Sequence, residues 1–358
     1  MHAGEIHEEE VRKIIQWKNM FATGKSGGQY QMKTYRIAIL GFGTVGSGTY
    51  EILKKNHSVI RKRIGADYEV SHILVRHPET AAENGADPAI LTTNPDDVFQ
   101  DPDLDIVVEC IGGQEPAKTY ILNAMNSGKH VVTPNKAVIA ENFKELSECA
   151  EKNHVDFRYE ASVGGGIPIL TSITEALAAN TFTQVNGIVN GTTNYILTQM
   201  SDNDLDYATA LKMAQENGFA EANPTADVEG IDCANKLSIL MSLCFGQYIH
   251  PDDIPRTGIS AITTEDINAA KKDKTLIKLI SHAELKEDGT IDCWIRPTRI
   301  QQNHPLAYVN NEFNAVTLTG DMVGETMFVG KGAGALPTGS AVTGDLIAIM
   351  RDHLQNCR

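Results

Sequence analysis

Arg36-Ile37-Ala38-Ile39-Leu40-Gly41-Phe42-Gly43-Thr44-Val45-Gly46 sets a short apolar run directly against a G-x-G-x-x-G hexapeptide. The apolar run reads as a buried strand, and the residues after the glycines read as a helix through about Lys55. A glycine hexapeptide alone is commonly just a turn. Between a strand and a helix it becomes a dinucleotide fingerprint. The glycines permit the tight turn, let the backbone approach a pyrophosphate and let helix and strand pack closely. The helix N-terminus then presents unpaired N–H groups and the positive end of its dipole to the phosphates.

Outward from this turn the pattern repeats. Strands are expected at 70–75 and 105–108, and Pro116 opens a helix that Gly128 closes. A strand at 130–133, a helix near 138–153 and a strand at 155–159 continue the alternation. Strands alternating with helices imply βαβ units, hence a doubly wound α/β domain of Rossmann type. Beyond about residue 166 the order changes to a strand near 184–189, several helices between 193 and 285, and strand-like runs at 291–300, 314–319 and 326–330. That is an α+β domain, and a closing amphipathic helix is expected at 344–353. The expected division is 32–165 with 331–358 for the first domain and 166–330 for the second. Residues 1–31 carry no strand pattern, and Gly24-Lys25-Ser26-Gly27-Gly28-Gln29 reads as linker, so this stretch is expected to be a flexible extension.

Composition narrows the partners. The 358 residues suggest about two domains at roughly 150 residues each. With 46 acidic against 31 basic side chains, the net charge of −15 argues against nucleic acid and anionic lipid. No apolar run approaches the roughly 20 residues of a membrane span. Six cysteines without a C-x-x-C pair show neither a disulfide framework nor a zinc site. Glu5, Glu8, Glu9 and Glu10 stand where a signal peptide would be basic, so a cytoplasmic location is expected.

The choice of nicotinamide nucleotide turns on the end of the second strand, where an acid favours NAD. Leu74-Val75-Arg76-His77-Pro78 carries none, and Asp67 and Glu69 come too early. Arg76 could pair with a 2′-phosphate, so NADP is favoured with NAD the alternative; a solvated surface arginine is the plain reading.

The window Gly218 to Lys236 packs Glu221, Asp227, Glu229, Asp232 and Lys236 around a helix start. Asp232 and Lys236 stand at i, i+4, the stronger order for a helical ion pair. On a wheel of about 100° per residue they fall beside Ile239 and Leu243, away from Asn235, Ser238 and Ser242. Charged groups among apolar neighbours are costly unless they serve a site, so a catalytic pair is favoured over a structural ion pair. Three glycine or polar turns add candidates. Lys136, after Thr133-Pro134-Asn135, lies at a carboxyl edge of the sheet, where ligands of open α/β sheets bind. Glu160 with the Gly164-Gly165-Gly166 run could ligate a hard cation or form a hinge. Gly191-Thr192-Thr193-Asn194 reads as a polar cradle or a simple N-cap.

These residues together resemble the homoserine dehydrogenase family. The resemblance runs from about 35 to 350 and is carried by Gly41–Gly46, Val107-Val108-Glu109-Cys110-Ile111-Gly112-Gly113, Thr133–Lys136, Glu160–Pro168, Asn190–Ile196, Glu221–Lys236 and Gly332–Asp345. It implies NAD(P)-dependent interconversion of L-homoserine and L-aspartate 4-semialdehyde, on the route to threonine, methionine and isoleucine. By resemblance, Lys236 moves the proton of the substrate oxygen with Lys136 nearby. Glu221 and Asp232 hold the substrate ammonium with Asp227 assisting, and Gly191 and Thr192 line the substrate. Phe42, Thr44, Val45, Gly112, Gly218 and Gly334 would touch the cofactor beside Gly41, Gly43 and Gly46. A sodium-type cation would sit on Glu160 and the backbone oxygens of Val163, Gly165 and Ile167, and a homodimer would form through the second domain, which is thereby the catalytic and dimerisation domain. Phe219 departs from the family's usual tyrosine. Many members carry a further regulatory domain of about 80–90 residues; this sequence stops at Arg358, so allosteric threonine control is not expected. Two rival readings remain: aldehyde oxidation through Cys110, and a dinucleotide-sensing protein without turnover.

Overall fold

β1 (Thr34–Leu40) is the first element of the described part of the chain, and the computed structural model describes residues 33–356. The expected extension over 1–31 lies outside the described residues. β1 pairs in parallel with β2 (Asp67–Leu74) on one side and with β4 (Ile106–Glu109) on the other. β3 (Leu91–Thr92), β5 (His130–Val132) and β6 (Phe157–Arg158) complete a parallel sheet of order β3-β2-β1-β4-β5-β6. This is the doubly wound order, whose reversal between β1 and β4 opens a ligand crevice at the carboxyl ends of the strands. Ile37, Ala38, Ile39 and Leu40 are all fully buried, because helices cover both faces of the central strand.

α1 (Thr44–Lys55), α2 (His57–Ile64), α3 (Ala117–Asn126) and α4 (Lys136–Asn153) supply those layers among others. A second sheet of order β11-β10-β7-β8-β9 is antiparallel throughout, formed by β7 (Phe182–Ile188), β8 (Thr275–Leu285), β9 (Ile291–Gln301), β10 (Phe313–Gly320) and β11 (Gly324–Lys331). α5 (Gly191–Asp202), α6 (Tyr207–Glu216), α7 (Thr225–Val228), α8 (Ile231–Phe245) and α9 (Thr264–Lys272) lie between β7 and β8 in the chain. Val185, Leu279, Val316 and Leu318 of the sheet join Ile196, Leu237 and Leu240 of the helices in one core. The last helix, α10 (Ala335–Asn356), returns to the parallel sheet, where Val342, Leu346 and Ile349 pack with Ile37 and Leu53.

Three expectations are corrected. Residues 275–285, expected within a helical stretch, form β8. Nearly every side chain of this strand is buried on one face or the other, so its apolar run shows no clean alternation and periodicity cannot tell it from a helix. β2 starts at Asp67 rather than Val70, its polar first turn of sequence being paired with β1. α10 begins at Ala335, well before Gly344.

Candidate functional site

The three fingerprint glycines do three different jobs. Gly41 has φ +92°, and a Cβ there would stand 2.8 Å from the Cys110 carbonyl oxygen. At Gly46 a Cβ would stand 2.2 Å from the Gly41 carbonyl oxygen, so only glycine lets α1 pack on the strand turn. Around Gly43 nothing among the described residues lies within 4 Å of a Cβ position. The space it leaves faces a cleft of about 800 Å³, lined by Gly43, Thr44 and Val45 on this side. Gly43 is also the N-cap of α1 and supplies no side-chain acceptor, so the first-turn N–H groups are left to a ligand. The Phe42 ring turns into the core against Tyr50, 5.6 Å between centroids, and does not line the cleft. Arg76 is exposed just past β2 and outside the cleft lining.

The next two strand ends are tied together by a residue that sequence reasoning passed over. Glu109 ends β4 fully buried. Its Oε1 accepts the Ile111 and Gly112 N–H groups at 2.6 and 3.0 Å, and its Oε2 accepts the Thr133 hydroxyl at 2.5 Å. Thr133 in turn accepts the Asn135 N–H at 3.0 Å, and the Asn135 amide donates to the Gly113 carbonyl at 2.8 Å. Asn135 caps α4 through the Val138 N–H, which sets Lys136 in the helix's first turn. A lone acid at a strand end gives no sequence signal of its own; the central position of β4 is what buries it.

α8, mostly buried as its wheel implied, brings Asp232 and Lys236 to the same cleft. Asp232 is 6% exposed and its two oxygens take different lysines: Oδ1 lies 3.0 Å from Lys136 Nζ, and Oδ2 lies 2.7 Å from Lys236 Nζ. Lys236 also donates to the Val189 carbonyl at 2.6 Å, which leaves its third donor for a group in the cleft it lines. Burial acts to raise Asp232, but the Lys236 and Lys136 ammonium groups outweigh it and hold the carboxyl well below the usual range. Asp232 raises Lys136 against the opposing effect of burial. Asp227 is raised, chiefly by burial, with the nearby Asp232 adding to it.

Gly191 and Thr192 open α5 on the cleft wall. The Thr192 hydroxyl donates to the Phe219 carbonyl at 2.5 Å, and the Phe219 ring packs on Tyr195 at 4.7 Å. Gly112, Gly218 and Gly334 line the same cleft. Glu221 does not: it is exposed, and its carbonyl accepts the Gln215 amide at 3.1 Å. Glu312 lines the cleft and was not among the expected residues.

In the 160–168 turn the Glu160 carboxylate is already committed. Its oxygens accept the N–H groups of Leu170 and Thr171 at 2.8 and 2.7 Å. The Ile167 carbonyl accepts the Ile169 N–H at 2.8 Å. Among the described residues no hydrogen bond reaches the carbonyls of Val163 or Gly165, so the hard oxygens left for a cation are backbone ones. Asp345 accepts the Glu160 N–H at 2.9 Å and is pushed up to about 7, by burial first and by the Glu160 charge as well.

Cys110 lines the cleft, and a group of His130, Asp156 and His353 lies outside its lining. The Cys110 thiol is raised by burial and by Glu109, the opposite of what thiohemiacetal chemistry needs. His130, Asp156 and His353 gather where α10 meets the parallel sheet, but His130 Nδ1 already accepts the Asp156 N–H at 2.9 Å. With that lone pair spent, the trio ties α10 down rather than forming a metal site.

Comparison with known proteins agrees with this geometry. The family model described as "Homoserine dehydrogenase, NAD binding domain" matches residues 41–160, and "Homoserine dehydrogenase" matches 168–347. The homoserine dehydrogenase of Bacillus subtilis (strain 168) is 44% identical over 321 residues, covering 90% of this chain and 74% of that protein. The crystal structure of a homoserine dehydrogenase from Thiobacillus denitrificans aligns with a TM-score of 0.88 and 42% identity, over 90% of this chain and 75% of that one. A hyperthermophilic archaeal homoserine dehydrogenase, solved in complex with NADPH, aligns at TM-score 0.74 and 25% identity over 89% of this chain and 98% of its own. No helix among the described residues is long and apolar enough to cross a membrane. A nucleotide-type glycine turn and a buried lysine–aspartate–lysine array line one cleft, and the chain matches one family over nine-tenths of its length: the chain belongs to the homoserine dehydrogenases, oxidoreductases with an NAD-binding domain.

Proposed function

We propose that this cleft interconverts L-homoserine and L-aspartate 4-semialdehyde with Lys236 as the proton donor and acceptor at the substrate oxygen. The observation that carries the reading is Asp232 held between Lys136 at 3.0 Å and Lys236 at 2.7 Å, in the cleft onto which the glycine turn opens. A bound nicotinamide dinucleotide supplies hydride to the aldehyde carbon or takes it from the carbinol carbon. Lys236 gives its proton to the oxygen in the first direction and receives the hydroxyl proton in the second. Lys136, part-exposed at the cleft wall, stabilises charge on the same oxygen. Asp232 and Asp227 hold the substrate ammonium beside Gly191 and Thr192, with Glu221, exposed beyond the cleft lining, as the third carboxylate of the set. Gly41, Gly43, Gly46, Thr44, Val45, Gly112, Gly218 and Gly334 form the nucleotide side, with the backbone of Phe42 passing beneath it.

The nucleotide preferred is NADP. No acid ends β2, Arg76 stands exposed beyond it, and an archaeal relative binds NADPH. Arg76→Asp weakens NADP more than NAD in a binding titration; equal loss for both nucleotides refutes the 2′-phosphate contact. A sodium-type cation fits the 160–168 turn through the Val163 and Gly165 carbonyls, where it would brace the junction of the two sheets; the fit with the Glu160 carboxylate is poorer because its oxygens cap Leu170 and Thr171. The chain assembles as a homodimer through the antiparallel sheet, whose face away from α5 and α8 carries the half-exposed Val329. Residues 32–165 with 331–358 form the nucleotide domain and 166–330 the catalytic and dimerisation domain.

The deciding assay follows absorbance of the reduced nicotinamide with homoserine, run separately with NADP and NAD. Homoserine-dependent reduction supports the reading. Nucleotide binding without any such change would make the protein a sensor instead.

A further inference from the structure

We propose that Asn190 is a positioning residue for this reaction: one locked side-chain amide fixes Asp227 and Asp232 relative to each other and to the turn that lines the substrate. The proposal rests on the assignment of those two carboxylates to the substrate ammonium.

Asn190 follows β7 and is the N-cap of α5. Its Oδ1 accepts the Thr193 N–H at 2.8 Å and the Thr193 hydroxyl at 3.0 Å. With the oxygen turned to the helix, Nδ2 faces the acids and donates to Asp227 Oδ1 at 2.7 Å and Asp232 Oδ2 at 2.9 Å. Turning the amide over would set its NH2 against the Thr193 N–H and its oxygen against two carboxylates. Donor would meet donor and acceptor would meet acceptor, so the orientation is dictated by the partners.

The three side chains come from three separate places in the chain. Asp227 lies on α7, Asp232 in the first turn of α8, and Asn190 at the β7–α5 junction directly before Gly191 and Thr192. The amide therefore ties the substrate-lining turn to both acids. The choice of a neutral donor matters. Asp232 already has two lysines, whereas Asp227 has no ion pair among the described residues. A cationic side chain at position 190 would satisfy Asp227 and compete with the substrate ammonium. An asparagine donates without charge, so it orients Asp227 and leaves that negative charge for the ligand.

Asp227 is faced by Asn190, by Asp232 and Lys236 of α8 and by Lys136 of α4. Burial and Asp232 favour its neutral form; the Asn190 N–H and the two lysines favour the charged one. Removing the amide donor therefore raises it.

Two variants test the proposal. Asn190→Ser keeps a hydroxyl able to cap α5 but too short to bridge both acids. Asn190→Asp keeps the cap and the shape, loses the donor and adds a third negative charge. For Asn190→Ser we expect homoserine KM to rise roughly tenfold, as for a lost hydrogen bond to a charged group, with the nucleotide Kd unchanged. The acid limb of kcat/KM moves to higher pH in Asn190→Ser and further in Asn190→Asp. Wild-type KM and an unmoved limb in both variants would overturn the proposal. So would a loss shared equally by homoserine and nucleotide with no movement of the limb, which is the mark of a merely structural role. Absence of homoserine-dependent reduction in the wild-type protein would instead defeat the underlying assignment, and is seen before any variant is made.

Discussion

Replacing Lys236 by methionine removes the ammonium and keeps most of the stem. In the structure that ammonium makes two buried hydrogen bonds, to Val189 at 2.6 Å and to Asp232 at 2.7 Å. Breaking a buried pair costs roughly 3–5 kcal/mol when the remaining charge is left alone. Here Asp232 keeps Lys136 at 3.0 Å and Asn190 at 2.9 Å, so only the Val189 carbonyl is orphaned. The stability loss is then about 3 kcal/mol, the low end of the sum of one charged hydrogen bond and one unpaired carbonyl. The chemical loss is at least as large. A positioned acid–base group contributes roughly 10²–10⁴ in rate, or about 3–5 kcal/mol of barrier at about 1.4 per tenfold. Turnover with homoserine should therefore fall at least a hundredfold at a temperature where circular dichroism shows the variant folded. The nucleotide Kd, from a fluorescence titration, should stay at its wild-type value, because Lys236 belongs to α8 and not to the Gly41–Gly46 turn. Retention of a tenth of wild-type turnover, only about 1.4 kcal/mol, would refute Lys236 as the acid–base group. A parallel loss of nucleotide affinity would move it to the cofactor side.

Two further perturbations separate site from scaffold. Gly43→Ala places a methyl where the described residues leave nothing within 4 Å, at φ −81°, which alanine tolerates. Its melting temperature should be unchanged while nucleotide Kd rises, since the methyl occupies the approach of the pyrophosphate; an unchanged Kd contradicts that use of the turn. Asp232→Asn leaves Lys136 and Lys236 without their shared counter-ion. The folded Asp232 is depressed, so its contribution is present above the unfolded value of about 3.9 and is lost as pH falls through the lower folded value. Denaturant titrations should show the variant less stable than wild type at pH 7, with the gap narrowing below about pH 4. A gap independent of pH over that range would show that the stabilisation is not ionic.

Some of this was legible in the residue order because the physics is local. A G-x-G-x-x-G after Ile37–Leu40 announces its strand, turn and helix within one βαβ unit, and Asp232 and Lys236 share a helix face by spacing alone. The family resemblance added roles for Lys136, Asp227 and the glycine turns, and the structure brings them to one cleft. Other features had no local signature. β8 hides both faces, so its apolar run carries no period that distinguishes strand from helix. Glu109 looks like any acid until β4 becomes central and buries it, and nothing in the residue order showed that Glu221 would stand exposed while Asp227 and Asp232 line the cleft.

What the sequence determined by itself was thus the set of short-range units: a nucleotide-type turn, a helix carrying an acid and a lysine one turn apart, and alternating layers that must form a parallel sheet. Only the tertiary structure decided which of these units meet. Lys136 and Asp232 are distant in the chain yet lie 3.0 Å apart, because β5 ends at the same edge to which α8 delivers its first turn. The orientation of the Asn190 amide was decided the same way, by partners on α5, α7 and α8 that no single stretch contains. Charge–charge energies fall with distance in space and take no account of distance along the chain, so the ionisation of the site could be settled only once the fold had closed.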